Sequence, residues 1–324
     1  MGTEYHISWV SELSSERKLE AERISVQSDM DSLLAAINKS MSTYDTESEL
    51  SLINKSLNTD WQSISYDLYT VLDMAMEVNR NSSGAFDITV GPLVNLWGFG
   101  PTKQLDQRPV QDDIDQQLLK IGSSAIKLRH SDDLYELKLT ESRYIDLSAI
   151  AKGYAVDVLA NHLEELGIVN YLVEVGGEIS AGGKKSNDKP WRIAIETPSD
   201  NERLAQLVIP LSNEGIATSG DYRNFFTQDD HRFSHTIDGR TGYPVDHDLA
   251  SVSVIHKSVA MADAWATALT VLGVEEGLKV AEKYELSAYF IQRSTKDSRL
   301  DKKSVTVFET NASSEFKKLE LTVK

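Results

Sequence analysis

Apolar residues recur at helical or strand spacing along most of the chain. The clearest amphipathic helix is predicted over residues 63 to 80, where apolar side chains return at every third or fourth position. Sparser helical patterns cover residues 15 to 40, 48 to 54 and 111 to 120. Weak alternation from Tyr5 to Val10 is typical of a strand. The first third of the chain therefore predicts one strand followed mainly by helices.

The rest of the chain combines strands with a few helices. Strands are predicted over residues 125 to 145, 168 to 175, 191 to 196, 204 to 211, 232 to 238, 249 to 256, 287 to 292 and 304 to 309. A helical stripe from Ser258 ends at Gly273, and a second helix follows over residues 275 to 284. Small residues over 215 to 222 predict a turn rather than the centre of a strand. Because no low-complexity linker or internal repeat divides the chain, the pattern favours one α+β unit.

The stretch over residues 144 to 183 predicts a strand, a turn, a helix and a second strand that runs into glycine pairs. Ser148 occupies the N-cap position of the helix, and Gly167 follows its last apolar residue. Asp146 and Lys152 flank the helix start, where unpaired N–H groups and the helix dipole favour an anion. Capping residues and a solvated lysine are the simpler interpretation, and the residues alone favour it.

The segment over residues 83 to 101 is too apolar and too rich in glycine and aromatic residues for a linker. Phe86, Trp97 and Phe99 could stack against a flat ligand ring, or they could pin the loop to the core. The residues alone leave both alternatives open.

Asp263 and Thr267 stand four residues apart on a predicted helix, so their side-chain oxygens point the same way. A carboxylate and a hydroxyl are hard oxygen ligands that suit magnesium, but the two residues alone favour a helix-start acid and a packing threonine. His235 precedes a tight turn, where a neutral imidazole could act as a general base or simply lie in a strand.

Charge and composition narrow the choice of partner. The 324 residues carry a formal net charge of −17, which argues against a protein that binds nucleic acid through a basic face. An anionic ligand would therefore need a lysine, a helix N-terminus or a metal ion. Because the chain contains no cysteine, disulfides and thiolate metal sites are excluded.

Several short motifs occur together in a known order. They are residues 1–3, Ser42-Thr43-Tyr44, residues 84–94, residues 146–155, Val175-Gly176-Gly177-Glu178, Thr218-Ser219-Gly220, residues 234–238 with Thr241-Gly242, and Ala262-Asp263-Ala264 with Thr267. In these motifs the chain resembles the FAD:protein FMN transferase family, also called ApbE-like flavin transferases. The resemblance implies an α+β fold of mixed or antiparallel sheets packed with helices. It also implies a single T-fold-like unit over residues 1–324, and not a Rossmann fold.

The resemblance further implies a magnesium-dependent enzyme that moves the FMN half of FAD onto a threonine or serine hydroxyl of a target protein and releases AMP. A metal-dependent FAD pyrophosphatase that gives FMN and AMP, and a flavin-binding protein without turnover, are the alternatives. Implied acceptors are subunits of sodium-pumping quinone reductases or related electron-transfer complexes. Because those acceptors face the outside of the inner membrane, the expected location is periplasmic, as a lipoprotein whose leader is absent from this chain.

Site residues are carried over from the same resemblance. The implied contacts to the flavin nucleotide are Met1, Tyr44, Ala85, Phe86, Asp87, Asp146, Lys152 and Ile237. The implied magnesium ligands are the Ala149 carbonyl, Asp263 and Thr267, and the implied base is His235. Some members carry a second acid immediately before the threonine ligand, where this chain has Ala266.

Overall fold

The computed structural model describes residues 2–100, 108–198, 204–221, 225–228, 231–297 and 304–321. Its helices are α1 (Glu16–Met41), α2 (Glu49–Lys55), α3 (Tyr66–Asn81), α4 (Gly91–Leu96), α5 (Gln111–Leu118), α6 (Ala151–Glu165), α7 (Val259–Lys283) and α8 (Ser314–Leu321). Its strands are β1 (Tyr5–Trp9), β2 (Gln62–Ile64), β3 (Ile126–Ser131), β4 (Leu134–Leu139), β5 (Tyr171–Val175), β6 (Glu178–Gly182), β7 (Trp191–Glu196), β8 (Ala205–Leu211), β9 (Glu214–Gly220), β10 (Phe225–Gln228), β11 (His231–Ser234), β12 (Ile237–Asp238), β13 (Tyr243–Pro244), β14 (Leu249–His256), β15 (Ser287–Asp297) and β16 (Ser304–Ala312).

A seven-stranded sheet with the order β1-β5-β6-β9-β14-β15-β16 forms the centre of the fold, and its neighbouring strands pair antiparallel. Strand β14 is buried along most of its length, because both faces of the sheet are covered. Val252 and Val254 contact one core and Ile255 contacts the other. The prediction of an α+β fold with antiparallel sheets is therefore confirmed.

Each face of the sheet has its own cover. Helices α6 and α7 pack on one face, and α3 packs against α7. The largest core lies among them, with Leu68, Leu72 and Phe290 among its fully buried members. The hairpin of β7 and β8 and helix α8 cover the other face, around Trp191 and Phe316. This arrangement leaves the first turns of α6 and α7 at one end of the sheet.

A smaller core lies beside α4 and α5, and we call it the satellite core. Its buried members are Leu93, Trp97, Ile114, Phe226, Phe233 and Ile237. The hairpins β10–β11 and β12–β13 close over it. Because the residues on both sides of His235 belong to these hairpins, the satellite core fixes the position of this histidine.

Several predictions of secondary structure are wrong, and one of them is the strand expected to end at Ile145, which the structure does not form. Residues 215 to 222 were expected to form a turn, yet β9 lies near the middle of the sheet between β6 and β14. The predicted strand over residues 232 to 238 is broken by a bend at His235. Helix α3 starts three residues later than predicted, because Gln62–Ile64 pairs with β4. Within the described ranges, no helix is long and apolar enough to span a membrane.

Candidate active site

The first turns of α6 and α7 meet with their backbones in contact. A Cβ atom at Gly153 of α6 would stand 2.3 Å from the carbonyl oxygen of Val259 and 2.8 Å from the Cα atom of Ala260. Glycine is therefore required at this crossing. The Gly153 N–H donates to the Asp263 carboxylate at 3.2 Å, instead of to a carbonyl of its own helix. The crossing thus joins the start of α6 to a carboxylate of α7.

Asp157 holds the crossing together from the α6 side. Its carboxylate accepts hydrogen bonds from the Ser258 hydroxyl at 2.7 Å, the Val259 N–H at 2.7 Å and the Ala260 N–H at 3.0 Å. Burial raises the pKa of Asp157, although these donors oppose the rise. The N-terminus of α7 is therefore capped by a residue of α6, and this contact sets the position of Asp263 in the next turn.

Three charged side chains form a cluster at the crossing. The Lys152 Nζ atom lies 2.9 Å from Glu178 Oε1 and 3.4 Å from Asp263 Oδ2. Glu178 is 4% exposed and Asp263 is 5% exposed. One ammonium faces two carboxylates, so the cluster carries one excess negative charge when both carboxylates are ionised.

Burial and the neighbouring charges shift the pKa values of Lys152 and Glu178. Burial lowers the pKa of Lys152, but the charges of Asp263 and Glu178 outweigh it, and the net shift is upward. Burial and the nearby Asp263 raise the pKa of Glu178 above its usual range, and Lys152 only partly offsets them. The Glu178 Oε2 atom is buried without a hydrogen-bond partner. The cluster therefore favours the approach of a further cation.

A glycine turn between β5 and β6 brings Glu178 to the lysine. A Cβ atom at Gly176, where φ is +62°, would lie 3.0 Å from the Thr3 side chain and 3.3 Å from Lys152 Cδ. The start of the described chain therefore borders the stem of Lys152. Met1, which was predicted to contact the flavin nucleotide, lies outside the described residues.

The start of α6 differs from the sequence prediction. Ser148 is not its N-cap, because the helix follows Ile150, which makes no side-chain cap. Instead, the Ser148 N–H donates to the Asp146 carboxylate at 2.9 Å, and this turn delays the helix. The first bond of the helix runs from the Tyr154 N–H to the Ile150 carbonyl, so the Ala149 carbonyl stands outside the helical ladder.

The loop before α4 lies beside Asp146. The Asp146 N–H donates to a carbonyl of this loop at 2.8 Å. A Cβ atom at Gly91 would lie 2.6 Å from the Tyr144 ring and 3.5 Å from the Asp146 Cβ atom. The Tyr144 hydroxyl shares a hydrogen bond with Thr43, and the neighbouring Tyr44 is 75% exposed. Tyr44, Asp146 and the loop therefore border one region of the surface.

Asp87 organises the same loop from within. Its Oδ1 atom accepts hydrogen bonds from the Thr89 N–H at 2.8 Å, the Thr89 hydroxyl at 2.6 Å and the Ser123 hydroxyl at 2.6 Å. The side chains of Ala85 and Phe86 are buried. A ligand beside this loop would therefore meet backbone atoms of these two residues rather than their side chains.

His235 lies in the bend between β11 and β12. Its half-buried ring makes an edge contact with Phe99, with 6.3 Å between the ring centroids. Two residues later, Ile237 is buried in the satellite core with Trp97. The Trp97 indole donates to the Gly242 carbonyl at 2.9 Å. Trp97 therefore pins its loop to the core, which was one of the two alternatives for this aromatic segment.

The turn that follows the His235 bend contacts the loop before α4. A Cβ atom at Gly239 would lie 3.7 Å from Val90 and 3.8 Å from the Asp87 Cβ atom, in ordinary contact. The same loop borders Asp146, six residues before Lys152. The structure thus links the predicted site residues through neighbouring segments, from the charged cluster to the His235 bend.

The predicted magnesium ligands supply only oxygen atoms. Thr267 is half-buried one helical turn beyond Asp263, and the Ala149 carbonyl precedes the facing helix. The described part of the chain contains no group of three or more His, Cys, Asp or Glu side chains that could hold a metal ion. A metal here would need carbonyl, hydroxyl and water oxygens, which magnesium accepts. Together with the excess negative charge of the cluster, these residues fit a hard divalent cation.

The model that describes the ApbE family matches residues 1–290, which is most of the chain. The chain belongs to the ApbE family. The resemblance inferred from the sequence motifs is therefore confirmed.

Relatives in the ApbE family match nearly the whole chain. The FAD:protein FMN transferase of Haemophilus influenzae is 42% identical over 323 residues, covering 98% of this chain and 89% of the relative. The FAD:protein FMN transferase of Vibrio cholerae is 41% identical and covers 91% of this chain and 86% of the relative. The solved flavin transferase ApbE from Vibrio cholerae has a TM-score of 0.84 at 37% identity and covers 98% of this chain and 96% of its own. The apo flavinyl transferase ApbE of Pseudomonas stutzeri has a TM-score of 0.84 at 34% identity, with coverage of 97% and 92%.

One residue of this ApbE site was not assigned a role from the sequence. Glu178 stood among the quoted motifs, in Val175-Gly176-Gly177-Glu178, but only as part of a glycine turn. Its position after two glycines was the available signal, because such turns let a side chain approach another segment closely. Its lysine partner lies 26 residues earlier, so the pairing could not be read from spacing.

Proposed function

We propose that this protein is a magnesium-dependent enzyme that transfers the FMN portion of FAD to a threonine or serine hydroxyl of an acceptor protein, with release of AMP. The observation that carries the proposal is the buried cluster of Lys152, Glu178 and Asp263 at the start of α6. A protein with a formal net charge of −17 needs such local features to hold a pyrophosphate. The names of the relatives support the same reaction.

The pyrophosphate end of FAD is assigned to the start of α6. Lys152 supplies an ammonium there, and the positive end of the α6 dipole favours an anion. Asp263, Thr267 and the Ala149 carbonyl would hold magnesium. When bound, the ion would neutralise charge on the pyrophosphate oxygens.

The flavin end is assigned to the exposed Tyr44, Asp146 and the loop over residues 84–91. Tyr44 offers an accessible aromatic face, and Asp146 offers a carboxylate beside it. Asp87, whose carboxylate already binds Thr89 and Ser123, would act by shaping the loop backbone. Ile237 would act from the buried side, through the satellite core.

His235 is assigned the role of general base. In the proposed step it takes the proton of the acceptor hydroxyl while the hydroxyl oxygen bonds to the phosphorus of the FMN phosphate. The bond from that phosphorus to the bridging oxygen breaks, and AMP leaves with the bridging oxygen. His235 is half-buried in a bend, and imidazole side chains are common general bases near neutral pH.

The experiment follows the fate of FAD. The protein is incubated with FAD, magnesium and a candidate acceptor segment, and the acceptor is weighed by mass spectrometry. The matched control is the same segment with its acceptor threonine replaced by valine. Flavin on the threonine segment alone supports the transferase. Free FMN and AMP with unmodified acceptor would indicate a pyrophosphatase, and intact FAD would indicate a flavin-binding protein.

We also propose subunits of sodium-pumping quinone reductases, or of related electron-transfer complexes, as acceptors. A periplasmic lipoprotein is the location proposed with them. Both proposals depend on the family resemblance alone. Flavinylation of such a subunit in cells, and its loss when this gene is deleted, would test the first. Release of the protein with the periplasmic or the membrane fraction would test the second.

A further inference from the structure

The two carboxylates that face Lys152 hold it unequally. The Nζ atom is 2.9 Å from Glu178 Oε1, within charge-assisted hydrogen-bond range, but 3.4 Å from Asp263 Oδ2. Asp263 Oδ2 also accepts the Gly153 N–H at 3.2 Å. The shorter contact of the lysine is therefore with Glu178, the carboxylate that is not a proposed metal ligand.

Glu178 is built to stay in place. It is 4% exposed, it begins β6, and the preceding glycine turn packs against the stem of Lys152 at Cδ. A carboxylate in this position cannot swing into solvent to follow a moving partner. Its second oxygen is buried without a hydrogen-bond partner. Glu178 is therefore not part of a structural network in which every polar atom is hydrogen-bonded.

We propose that Glu178 is a positioning residue that keeps the Lys152 ammonium on the pyrophosphate side of the cluster when Asp263 binds magnesium. This inference rests on the proposed function. In the absence of Glu178 the ammonium would have Asp263 as its only carboxylate partner in the cluster, and would compete there with the metal. In its presence the ammonium keeps a second partner, and it remains beside the start of α6.

If Glu178 acts only through its charge, or if it acts by positioning Lys152, the Glu178→Gln change should alter FAD affinity in opposite directions. When it is ionised, Glu178 places a buried negative charge near the site of a pyrophosphate, so its charge alone should weaken FAD binding. Replacement by the neutral, similarly shaped glutamine should then tighten FAD binding. If Glu178 acts by holding Lys152, the same replacement should instead weaken FAD binding, by about tenfold or more, as residues that orient a ligand do.

The experiment measures the FAD dissociation constant from flavin fluorescence, with magnesium raised in each variant until the constant no longer changes. The four proteins are the natural chain, Glu178→Gln, Lys152→Met and the double variant. We expect Glu178→Gln to weaken FAD binding about tenfold in the natural background. In the Lys152→Met background the same change should leave FAD binding unchanged or tighten it. A melting curve of each variant serves as the control for folding.

The other results overturn the inference. Unchanged or tighter FAD binding by Glu178→Gln would show that Glu178 affects FAD only through its charge and does not position Lys152. Equal weakening in both backgrounds would make it a structural residue. If Glu178→Gln or Lys152→Met fails to fold, Glu178→Asp is tested instead, because it keeps the charge but moves it away from Lys152 by one methylene. Undiminished FAD affinity of Glu178→Asp would then overturn the inference. Failure of the natural protein to bind FAD at any magnesium concentration would instead refute the proposed function itself.

Discussion

Gly153→Ala tests whether the close crossing of α6 and α7 builds the site. The added methyl would lie 2.3 Å from the Val259 carbonyl oxygen, about 1 Å short of ordinary contact, and 2.8 Å from the Ala260 Cα atom. Both obstacles are backbone atoms of α7, so no side-chain rotation relieves the overlap. The N-terminus of α7 must move away from α6, and Asp263 moves with it.

The magnitude follows from three contributions. Overpacking costs about 1–3 kcal/mol, and weakening the Gly153 hydrogen bond to a buried carboxylate costs roughly 1.5 kcal/mol more. Alanine regains about 1 kcal/mol of helix propensity at this position. The net loss is about 1.5–3.5 kcal/mol. With an unfolding entropy of about 2.1 cal/mol/K per residue, this corresponds to a fall in melting temperature of roughly 2–5 °C for 324 residues. A displacement of about 1 Å at the proposed metal ligand should also reduce turnover about 100-fold.

The assay compares melting temperature and flavin transfer at saturating FAD and magnesium. Gly239→Ala is the matched control, because its methyl would meet neighbouring side chains at 3.7–3.8 Å, an ordinary contact distance. We expect the control to stay within about 1 °C and twofold in rate, since substitutions that create no clash rarely exceed about 0.5 kcal/mol. A Gly153→Ala variant with natural stability and turnover would show that the crossing tolerates separation. The geometric argument for the site would then fail.

Three further variants test other parts of the site. Asp157→Ala should lower the free energy of unfolding by about 2 kcal/mol, because it leaves the N–H groups of Val259 and Ala260 without their carboxylate acceptor, and an unchanged urea midpoint would contradict this. Asp263→Asn should abolish the rise in melting temperature caused by magnesium, because it removes the ligand charge but keeps the side-chain volume; a persisting rise would place the metal elsewhere. His235→Ala should reduce flavin transfer by about 10²- to 10⁴-fold with little change in FAD affinity. If transfer is normal and FAD binding is lost, His235 is a binding residue and the base lies elsewhere.

Much of the fold follows from local pattern. The amphipathic stripe of α3 and the apolar stripe of α7 were predicted because each buries one face on the same core. The break at Gly273 was also predicted, and the structure shows φ of +72° there, a conformation that favours glycine. Such elements are readable because burial on one face imposes a period on the sequence.

Strand β9 was not predicted, because packing against α7 determines which residues it contains. A Cβ atom at Gly215 would lie 2.3 Å from Val259 Cγ2, so the strand must carry small residues where α7 presses on the sheet. Thr218 faces Ser253 of the neighbouring strand at 2.7 Å between their hydroxyl oxygens. Small and hydroxyl residues in sequence usually indicate a turn, and here they mark the place where a helix approaches closely.

Some pairs of residues in the candidate site could be predicted from their spacing in the sequence, and others come together only when the chain folds. Asp263 and Thr267 could be paired from the sequence, because four residues on a helix define one face. Lys152 lies 111 residues from Asp263, and no spacing rule connects them. Their contact depends on Gly153, which lets two helices touch, and on Asp157, which caps the second helix from the first. Neither residue is a proposed ligand or base, yet the charged cluster depends on both, so changes at these two positions should reduce activity without replacing a proposed ligand.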